Sequence, residues 1–530
     1  LLTQCLGRRT VFVSCFLIFC VLSLLLVPWL GQDFFPAVDA GQFLLHVRAK
    51  TGTRIEVTSR DVDEVERYVR TQIPANELTG TLDNIGVPTS GINLSYNNTG
   101  TIGSADADIL VSLQTNHHPT AGYVARLRGQ LPKQFPGMSF FFEPADIVAQ
   151  TLNFGVPAPI DIQFVGQDVS DNFRIAAQVA EKMRAVPGAV DVHIQQALDQ
   201  PRLQYDVNRV RIQQLGLTER DVANNVLISL SSSFQTTPNF WLNPKNGVSY
   251  NIAVQTPQYK INSVDAVNNI PVNSPTASSP QLFENLASMT RESEAAVVSH
   301  YNVRPVIDIY AGVQGRDLGG VARDVQRITA SASKSLPRGS TLVIRGQVAT
   351  MRSSFVGLFA GLAFAIALVY FLLVVNFQSW TEAFIIITAL PGALAGVVWM
   401  LFLSRTTLSV PALMGTIMCI GVATSNSVLV ITFANEHFAQ NRDSLRAALE
   451  AGTTRLRPVM MTALAMIIGM IPMALGLGDG GEQNAPLGRA VIGGLLFATV
   501  STLFFVPIIF AMVRRTRTSP ISHSDLVHES

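Results

Sequence analysis

Charged side chains are scarce in this sequence. Only 14% of the 530 residues are Asp, Glu, Lys or Arg, whereas 48% are hydrophobic. A soluble chain of this length does not need so many apolar side chains, and part of the sequence is therefore expected to contact lipid. The acidic and basic residues nearly cancel, with a formal net charge of +1. A nucleic-acid partner is not expected, because no extended basic field exists to bind phosphates.

Cysteine is also rare, and its positions exclude several kinds of site. The four cysteines are Cys5, Cys15, Cys20 and Cys419. All of them lie in or beside strongly apolar segments, so the long polar middle of the chain has neither a disulfide framework nor a thiolate metal site. The phosphate-binding pattern GxxxxGK(S/T) is absent, and ATP is not expected as the energy source. No metal site and no cofactor are predicted.

Long apolar runs are what the chain has in place of charge. A membrane-crossing helix needs about 20 mostly apolar residues. The runs that meet this requirement are roughly 10–30, 355–376, 382–403, 410–434, 458–478 and 489–513. Their spacing predicts one membrane helix, a long polar gap and then five helices. The first run resembles a signal peptide, but it continues to Trp29 without a small-residue cleavage site, which favours an anchor.

Basic residues in the short connections orient the predicted helices. The connections that share one side carry Arg8, Arg9, Arg442, Arg446, Arg455, Arg457, Arg514, Arg515 and Arg517. That side is predicted to be cytoplasmic, and 31–350 is predicted to lie in the periplasm of a Gram-negative cell. Gly357 with Gly361 and Gly392 with Gly396 are spaced four apart, which predicts close helix packing.

The polar region repeats one order of elements twice. The first set is strand 42–49, helix 59–72, strand 80–86, strand 107–113, helix 119–131 and strand 138–143. The second set is strand 159–165, helix 169–186, strand 190–196, strand 304–310, helix 317–335 and strand 341–346. Both orders are those of a ferredoxin-like split β-α-β unit. The second set contains an insertion, about 205–295, whose polar stretch 231–257 fits either a docking arm or a surface loop.

Polar residues within the fourth apolar run need partners. Ser425 and Asn426 lie in the polar sequence TSNS at 424–427, and hydrocarbon offers such groups nothing to bond. Hydrogen bonds that hold the helices together and an ion path are both open alternatives. Thr462, which follows Arg455, is a second candidate for a path. No buried acidic residue is expected in any span, so a proton-carrying carboxylate is expected elsewhere.

Four sequence motifs resemble a known family. They are NFQSW at 376–380, GVATSNS at 421–427, RLRPVMMT at 455–462 and PLGRAVIGG at 486–494. In this order they resemble the carboxy-terminal half of resistance-nodulation-division (RND) permeases, in the hydrophobe/amphiphile efflux branch related to acriflavine-resistance pumps. The resemblance covers essentially the whole chain. Together with the start at Leu1, it suggests a piece of a longer protein.

The resemblance implies an α-helical polytopic membrane protein, with six helices arranged one plus five and a large periplasmic α+β region of two porter units. The implied divisions are a first membrane helix at 1–31, a first porter subdomain at 32–145, a second at 146–204 and 296–350, a funnel or docking insertion at 205–295, a five-helix bundle at 351–514 and a cytoplasmic tail at 515–530. The implied activity is proton-coupled secondary export of amphiphilic or hydrophobic compounds, without enzyme activity. The implied partners are an amino-terminal half, further copies in a homotrimer, a periplasmic adaptor and an outer-membrane channel.

The resemblance also assigns roles to residues. Asn426, Arg455 and Thr462 match polar residues of the family's proton-relay region, and Ser425 stands where many drug pumps have a lysine. The loop 97–107 lacks the phenylalanines that drug exporters place near their switch loop. Candidates for the substrate path are Phe140, Phe141 and Phe142, although strand alternation sends at least one of them into the unit's own core.

Two other functions compete with this interpretation. A membrane scaffold or sensor, whose periplasmic units bind a partner, fits the same pattern of helices and polar units. Metal-ion export is disfavoured, because the sequence shows no Met, His or Cys cluster in the outer region.

Overall fold

The computed structural model describes residues 2–88, 100–153, 155–275, 279–478 and 480–514. Its internal contacts define two compact units, one formed by Leu1–Gln196 and Val297–Ser530 and the other by Ala197–Ala296. The predicted cytoplasmic tail and the first residues of the loop 97–107 lie outside the described residues.

The helices of the described residues follow the chain from end to end. The α-helices are α1 (Leu2–Gly7), α2 (Arg9–Leu24), α3 (Ile55–Gln72), α4 (Thr120–Gln134), α5 (Ile147–Leu152), α6 (Val169–Arg184), α7 (Arg209–Gln214), α8 (Glu219–Leu230), α9 (Val264–Asn268), α10 (Leu318–Ala332), α11 (Gln347–Phe377), α12 (Trp380–Ile387), α13 (Leu390–Leu403), α14 (Val410–Asn441), α15 (Ser444–Ala474), α16 (Gly481–Val500) and α17 (Val506–Val513). Short 3₁₀ turns lie at Val27–Trp29, Gln258–Lys260, Phe283–Asn285 and Ser333–Ser335, and a π-helical turn at Ser501–Phe505 joins α16 to α17.

The strands lie between the first membrane helix and α11. They are β1 (Gln42–Arg48), β2 (Leu78–Ile85), β3 (Asp106–Leu113), β4 (Ser139–Glu143), β5 (Ile160–Val165), β6 (Ala189–Ile194), β7 (Gln200–Val207), β8 (Asn239–Leu242), β9 (Ser249–Ile252), β10 (Pro271–Val272), β11 (Gln281–Leu282), β12 (Ala287–Glu294), β13 (Ser299–Tyr301), β14 (Arg304–Val313) and β15 (Thr341–Gly346).

Six helical segments of the described residues are long and apolar enough to cross a membrane. They are Arg9–Trp29, Gln347–Phe377, Trp380–Leu403, Val410–Asn441, Ser444–Ala474 and Gly481–Val513. Each contains or overlaps one of the predicted spans. The largest difference is at α15, which begins at Ser444 and continues through Pro458. Asp443 caps its first turn by accepting from the backbone N–H groups of Leu445 and Arg446.

The first sheet has the strand order β2-β3-β1-β4, and all of its pairs are antiparallel. Its elements follow the predicted order of strand, helix, strand, strand, helix and strand. Helices α3 and α4 cover one face, where alternate strand residues form the core. The buried side chains of this core include Phe43, Leu45, Val47, Val62, Val65, Ile109, Leu127 and Leu131.

The second sheet repeats this arrangement. Its strand order is β6-β14-β5-β15, with β13 pairing the start of β14. Helices α6 and α10 share its core, which contains Ile160, Ile162, Phe164, Val179, Met183, Ile309 and Val325. The strands β6 and β14 are consecutive in this set but are separated in sequence by the Ala197–Ala296 unit, as an insertion between the two halves predicts.

The Ala197–Ala296 unit is built on an antiparallel ribbon of β7 and β12. It has a small core of its own, formed by Ile212, Leu217, Val222, Ile270, Val272, Phe283 and Leu286. Because β7 pairs with β12 along its whole length, the unit begins before the expected limit at 205. Within the polar stretch 231–257, β8 and β9 form a hairpin whose strand residues are all exposed.

Candidate functional site

The first sheet has a buried polar face opposite its apolar core. Strands β1, β3 and β4 alternate between the two faces, so that apolar residues enter the core and His46, Asp108 and Glu143 share the other side. His46 pairs across the strands with Asp108 on one side and with Phe141 on the other. Strand pairing therefore brings together three residues that are far apart in the sequence.

These three side chains form a compact group of possible metal ligands, and we call it the His46 cluster. His46 Nδ1 lies 2.6 Å from Asp108 Oδ1 and 3.9 Å from Glu143 Oε1. The residues are 0%, 2% and 8% exposed in the order His46, Asp108 and Glu143. One ligand atom from each lies within 4.8 Å of the others. Three buried atoms of these residues have no hydrogen-bond partner in the described residues, namely His46 Nε2, Asp108 Oδ2 and Glu143 Oε1.

Protonation of the His46 cluster follows from its neighbours. Burial alone lowers the pKa of His46, but the neighbouring carboxylates of Asp106, Asp108 and Glu143 outweigh it and raise the pKa to about 9. Burial raises the pKa of Glu143. The cluster therefore holds at least one proton at neutral pH, and a bound cation must compete with that proton.

Phe141 joins the first sheet to the second. Its ring stacks on His46 with centroids 4.2 Å apart and on His193 of β6 with centroids 3.7 Å apart. Arg48 donates to the carbonyl oxygens of Ile194 and Gln195 at 3.3 and 3.4 Å. The polar faces of the two sheets therefore meet around one aromatic ring.

The other two phenylalanines of β4 point to the opposite face. Phe140 packs on the core of the first sheet, and its ring centroid lies 6.3 Å from that of Phe135. Phe142 packs on the same core, where Arg128 lies 5.0 Å above its ring. The sequence predicted that at least one of the three phenylalanines would enter the core. The structure places both Phe140 and Phe142 against it, and Phe141 between the sheets.

A cavity of about 440 Å³ lies beside Phe142 and Glu143, at the end of β4. Phe34, Phe142, Glu143, Arg128 and Asp191 line it, among other residues. Arg128 makes a bidentate ion pair with Asp191 at 2.6 and 2.8 Å, which joins α4 to the end of β6. Glu143 belongs both to the cavity wall and to the His46 cluster. It therefore links the cavity to the buried ligands.

His193 makes the contact with Phe141 sensitive to pH. Burial lowers the pKa of His193 to about 3, whereas an unfolded histidine titrates near about 6.5. Between these values the opened state binds more protons, so closure of the sheets weakens as the pH falls through this window and is fully favoured above it. We expect hydrogen exchange of β4 and β6 amides, corrected for intrinsic rates, to show more opening at pH 5 than at pH 7.

A His193→Phe variant keeps the aromatic stack without the titrating group. The extra opening at pH 5 should be smaller in this variant, and the exposed His300→Phe on β13 serves as the matched control. The same pH response in His193→Phe and wild type would rule out this role of His193.

In the membrane region, two of the four predicted relay residues meet across α14 and α15. Thr462 Oγ1 lies 3.5 Å from Asn426 Oδ1 and also bonds the carbonyl of Val459 at 3.0 Å. Arg455 lies one or two turns away with its guanidinium 4.8 Å above the ring of Phe433. Its buried Nε has no partner in the described residues. These contacts form a polar seam between the two helices.

The remaining polar residues of 424–427 divide between two roles. Ser427 Oγ bonds Thr502 Oγ1 at 3.0 Å, which holds α14 to the π-helical turn. Thr424 Oγ1 bonds the carbonyl of Ile420 within its own helix. Ser425 is exposed and joins neither contact. Sequence reasoning missed His437 and Glu450, which extend the polar seam with a 2.8 Å ion pair.

One expectation about the membrane helices is wrong. Glu382, in the segment Trp380–Leu403, is 8% exposed and accepts from Asn435 Nδ2 at 2.8 Å. It also forms an ion pair with Arg514. No buried acidic residue was expected in any span, although the predicted span 382–403 begins at Glu382. The neighbouring ends of α14 and α17 bury it instead.

Comparison with known proteins decides the family. The sequence profile of the AcrB/AcrD/AcrF family matches residues 1–514. The chain belongs to this family. The predicted resemblance to RND permeases is thereby confirmed, and the chain is a multi-pass inner-membrane protein with a large periplasmic region.

Several curated proteins are similar to the chain along most of its length. Protein HelA of Legionella pneumophila is 26% identical and covers 99% of this chain. The cobalt-zinc-cadmium resistance protein CzcA of Cupriavidus metallidurans is 25% identical over 97% of the chain. The multidrug resistance protein MdtC of Erwinia amylovora is 24% identical over 92%. The matches cover 49%, 48% and 46% of these proteins, so the chain spans about half the length of the curated relatives it matches.

Solved structures give the same fold. The crystal structure of a heavy metal efflux pump has a TM-score of 0.81 and is 22% identical, covering 97% of this chain and 51% of that one. Relatives named for metal resistance thus stand beside one named for multidrug resistance. The predicted hydrophobe/amphiphile branch is not confirmed.

Proposed function

We propose that this chain is part of an exporter of divalent metal cations and that the His46 cluster binds the cargo. The observation that carries the proposal is the buried grouping of His46, Asp108 and Glu143, in which one ligand atom from each residue lies within 4.8 Å of the others. Buried polar atoms without partners are costly. A cation bound between these side chains would satisfy the free carboxylate oxygens, Asp108 Oδ2 and Glu143 Oε1.

The ligand types indicate which cations fit. One imidazole and two carboxylates suit borderline divalent ions such as Zn²⁺ and Co²⁺. The His46 cluster has no sulfur ligand, which disfavours monovalent copper or silver. The similarity to CzcA, which is named a cobalt-zinc-cadmium resistance protein, supports cations of this class. The sequence disfavoured metal export because it shows no Met, His or Cys cluster in the outer region. Strand pairing instead brings two carboxylates beside a single histidine.

The energy source in this proposal is the proton gradient, with no resident cofactor. Asn426, Thr462 and Arg455 would carry protons along the polar seam, and Ser425 would contribute from the exposed side of α14. In the His46 cluster, cation and proton compete for the same atoms, which gives exchange of one for the other a chemical basis.

The assembled pump is also part of the proposal. The two sheets, with their shared strand order, would act as ferredoxin-like porter units, and the Ala197–Ala296 unit would dock. The pump would be a homotrimer that contains an amino-terminal half, a periplasmic adaptor and an outer-membrane channel. The family match disfavours a non-transporting scaffold.

Export of amphiphilic compounds is the second candidate. The cavity beside Phe142 favours it, because Phe34 and Phe35 add apolar surface to a space of about 440 Å³. The similarity to MdtC supports the same interpretation. Export of a cation would depend on the charges of the His46 cluster, whereas export of an amphiphile would not. A substitution in the cluster therefore distinguishes the two cargoes.

An Asp108→Asn substitution separates the two candidates. It keeps the shape of the side chain but removes the charge that a cation needs. We expect Zn²⁺ affinity to fall at least about tenfold, and cells that depend on this pump to become sensitive to Zn²⁺ and Co²⁺. Growth on metal and accumulation of radioactive zinc would measure the loss.

Asp171→Asn is the matched control, because Asp171 lies on an exposed helix surface. Ethidium accumulation in the same strains would report amphiphile export. Unchanged zinc export in Asp108→Asn would refute the cation proposal, and ethidium export that needs the pump would then favour the second candidate.

A further inference from the structure

The second porter sheet has a buried polar face of its own. Asp161 and Gln163 point from β5 and Asp308 from the neighbouring strand β14. Asp161 is 1% exposed and Asp308 is 5% exposed. Asp161 Oδ1, Asp308 Oδ1 and Gln163 Oε1 are buried and have no hydrogen-bond partner in the described residues. All three unpartnered atoms are oxygens that accept.

These residues occupy the place that the His46 cluster occupies in the first sheet. Both sheets have the same strand order, with β5 in the position of β1 and β14 in the position of β3. Gln163 pairs across the strands with Asp308, as His46 pairs with Asp108. The repeat therefore puts a carboxylate and a second ligand type at equivalent positions twice. In the second sheet an amide oxygen replaces the imidazole.

The existing hydrogen bonds hold the ligands without satisfying them. Gln163 Nε2 donates to Asp161 Oδ2 at 2.9 Å, and Gln196 Nε2 donates to Asp308 Oδ2 at 2.6 Å. Each carboxylate thus has one oxygen fixed and one free. Gln163 uses its amide nitrogen in this bond, which leaves its oxygen as the free atom. Amide donors therefore order the two carboxylates, and each keeps one oxygen without a hydrogen-bond partner in the described residues.

Arg345 pairs across the strands with Asp161, and its charge partly offsets the rise in the pKa of that carboxyl. The Arg345 guanidinium lies 4.0 Å above the ring of Tyr301, and its Nε is itself buried without a partner in the described residues. No ion pair joins it to Asp161 or Asp308 in this part of the chain. Two carboxylates in a buried site repel each other, and burial followed by this repulsion raises the pKa of Asp161.

We propose that Asp161, Gln163 and Asp308 form a second cation site, made only of oxygen ligands, which takes a hard divalent ion such as Mn²⁺ or Mg²⁺. Carboxylate and carbonyl oxygens favour such ions, whereas the imidazole of the His46 cluster favours Zn²⁺ and Co²⁺. The inference deepens the proposed function and rests on it, because it supposes that cations reach the porter units. Gln163 is the partly exposed ligand and marks the side from which an ion reaches the site.

Binding to the purified protein in detergent micelles tests the two sites separately. Electron paramagnetic resonance counts bound Mn²⁺, and calorimetry measures Zn²⁺. We expect Asp308→Asn to lose one equivalent of Mn²⁺ and to retain Zn²⁺ binding. Asp108→Asn should do the reverse. The exposed Asp171→Asn should bind both ions like the wild type.

The outcomes distinguish the two proposals. An unchanged Mn²⁺ count in a folded Asp308→Asn protein, or no Mn²⁺ bound by the wild type, overturns the second site and indicates that water alone fills it. Zn²⁺ binding that ignores Asp108→Asn overturns the His46 cluster and leaves the second site standing. If Asp308→Asn does not fold, Gln163→Leu keeps both carboxylates and should weaken Mn²⁺ binding at least about tenfold. Unaltered affinity in that variant also overturns the site.

Discussion

Replacing Asn426 and Thr462 together by alanine is expected to abolish export of any cargo while the membrane helices remain folded. The two side chains meet at 3.5 Å between α14 and α15, within the polar seam between these helices. Alanine offers no group that can pass or hold a proton. The structural cost is small, because a hydrogen bond between membrane helices is worth about 0.6 kcal/mol on average.

Thr453→Ala provides the matched control on the same helix. Thr453 Oγ1 bonds only carbonyls of its own helix, those of Leu449 and Glu450. Export should therefore remain near the wild-type rate in this variant. Transport is measured as metal accumulation with and without an uncoupler, and folding as the elution profile of the purified protein. Normal, uncoupler-sensitive export by the double variant would exclude the Asn426–Thr462 contact from the proton path.

A Gly396→Leu substitution is expected to prevent the bundle from assembling. Helices α13 and α16 approach so closely that a Cβ atom on Gly396 would overlap the carbonyl oxygen of Gly493 and lie 2.6 Å from Phe497 Cβ. Overpacking of a tight interior costs about 1–3 kcal/mol, occasionally more. Backbone atoms cannot move aside as a flexible side chain can, so the cost here lies at the upper end. The yield of folded protein and its melting temperature should both fall.

Gly361→Leu makes the same change on α11, where no described atom lies within 4 Å of the added Cβ. This variant should accumulate and melt like the wild type. The sequence grouped the two glycine pairs together, because spacing alone cannot show which helix face meets a neighbour. If both variants were equally stable, the close approach of α13 and α16 would not limit folding.

The membrane spans could be predicted because an apolar run of sufficient length has few other interpretations. Their limits were harder to place. Arg455, Arg457 and Pro458 suggest a boundary, yet α15 continues through them, because Asp443 caps the helix about three turns before Arg455. The family motifs named both Asn426 and Thr462 as relay candidates, but the contact between them is visible only in the structure. No sequence pattern indicates the pairing of His437 with Glu450, which depends on how two helices align.

The His46 cluster shows why sheets hide sites from sequence reasoning. Its members lie on three strands and have no common motif. One signal was available, namely polar residues at the alternate positions of strands whose other positions are apolar, as in QFLLHVR around His46. Such a pattern normally means a solvated face. Here a second sheet covers that face, and only the fold reveals that the polar residues are buried.

The ring of Phe141 would couple cation binding at the His46 cluster to separation of the two sheets. Because the ring lies between His46 and His193, the sheets cannot separate at this point without exposing the His46 cluster, which is the proposed cation site. Separation and solvent access to those ligands are therefore one thermodynamic event. By thermodynamic reciprocity, an ion that binds more tightly when the sheets are in contact favours that contact over separation by the same factor. An occupied transporter should thus be stiffer than an empty one at this joint.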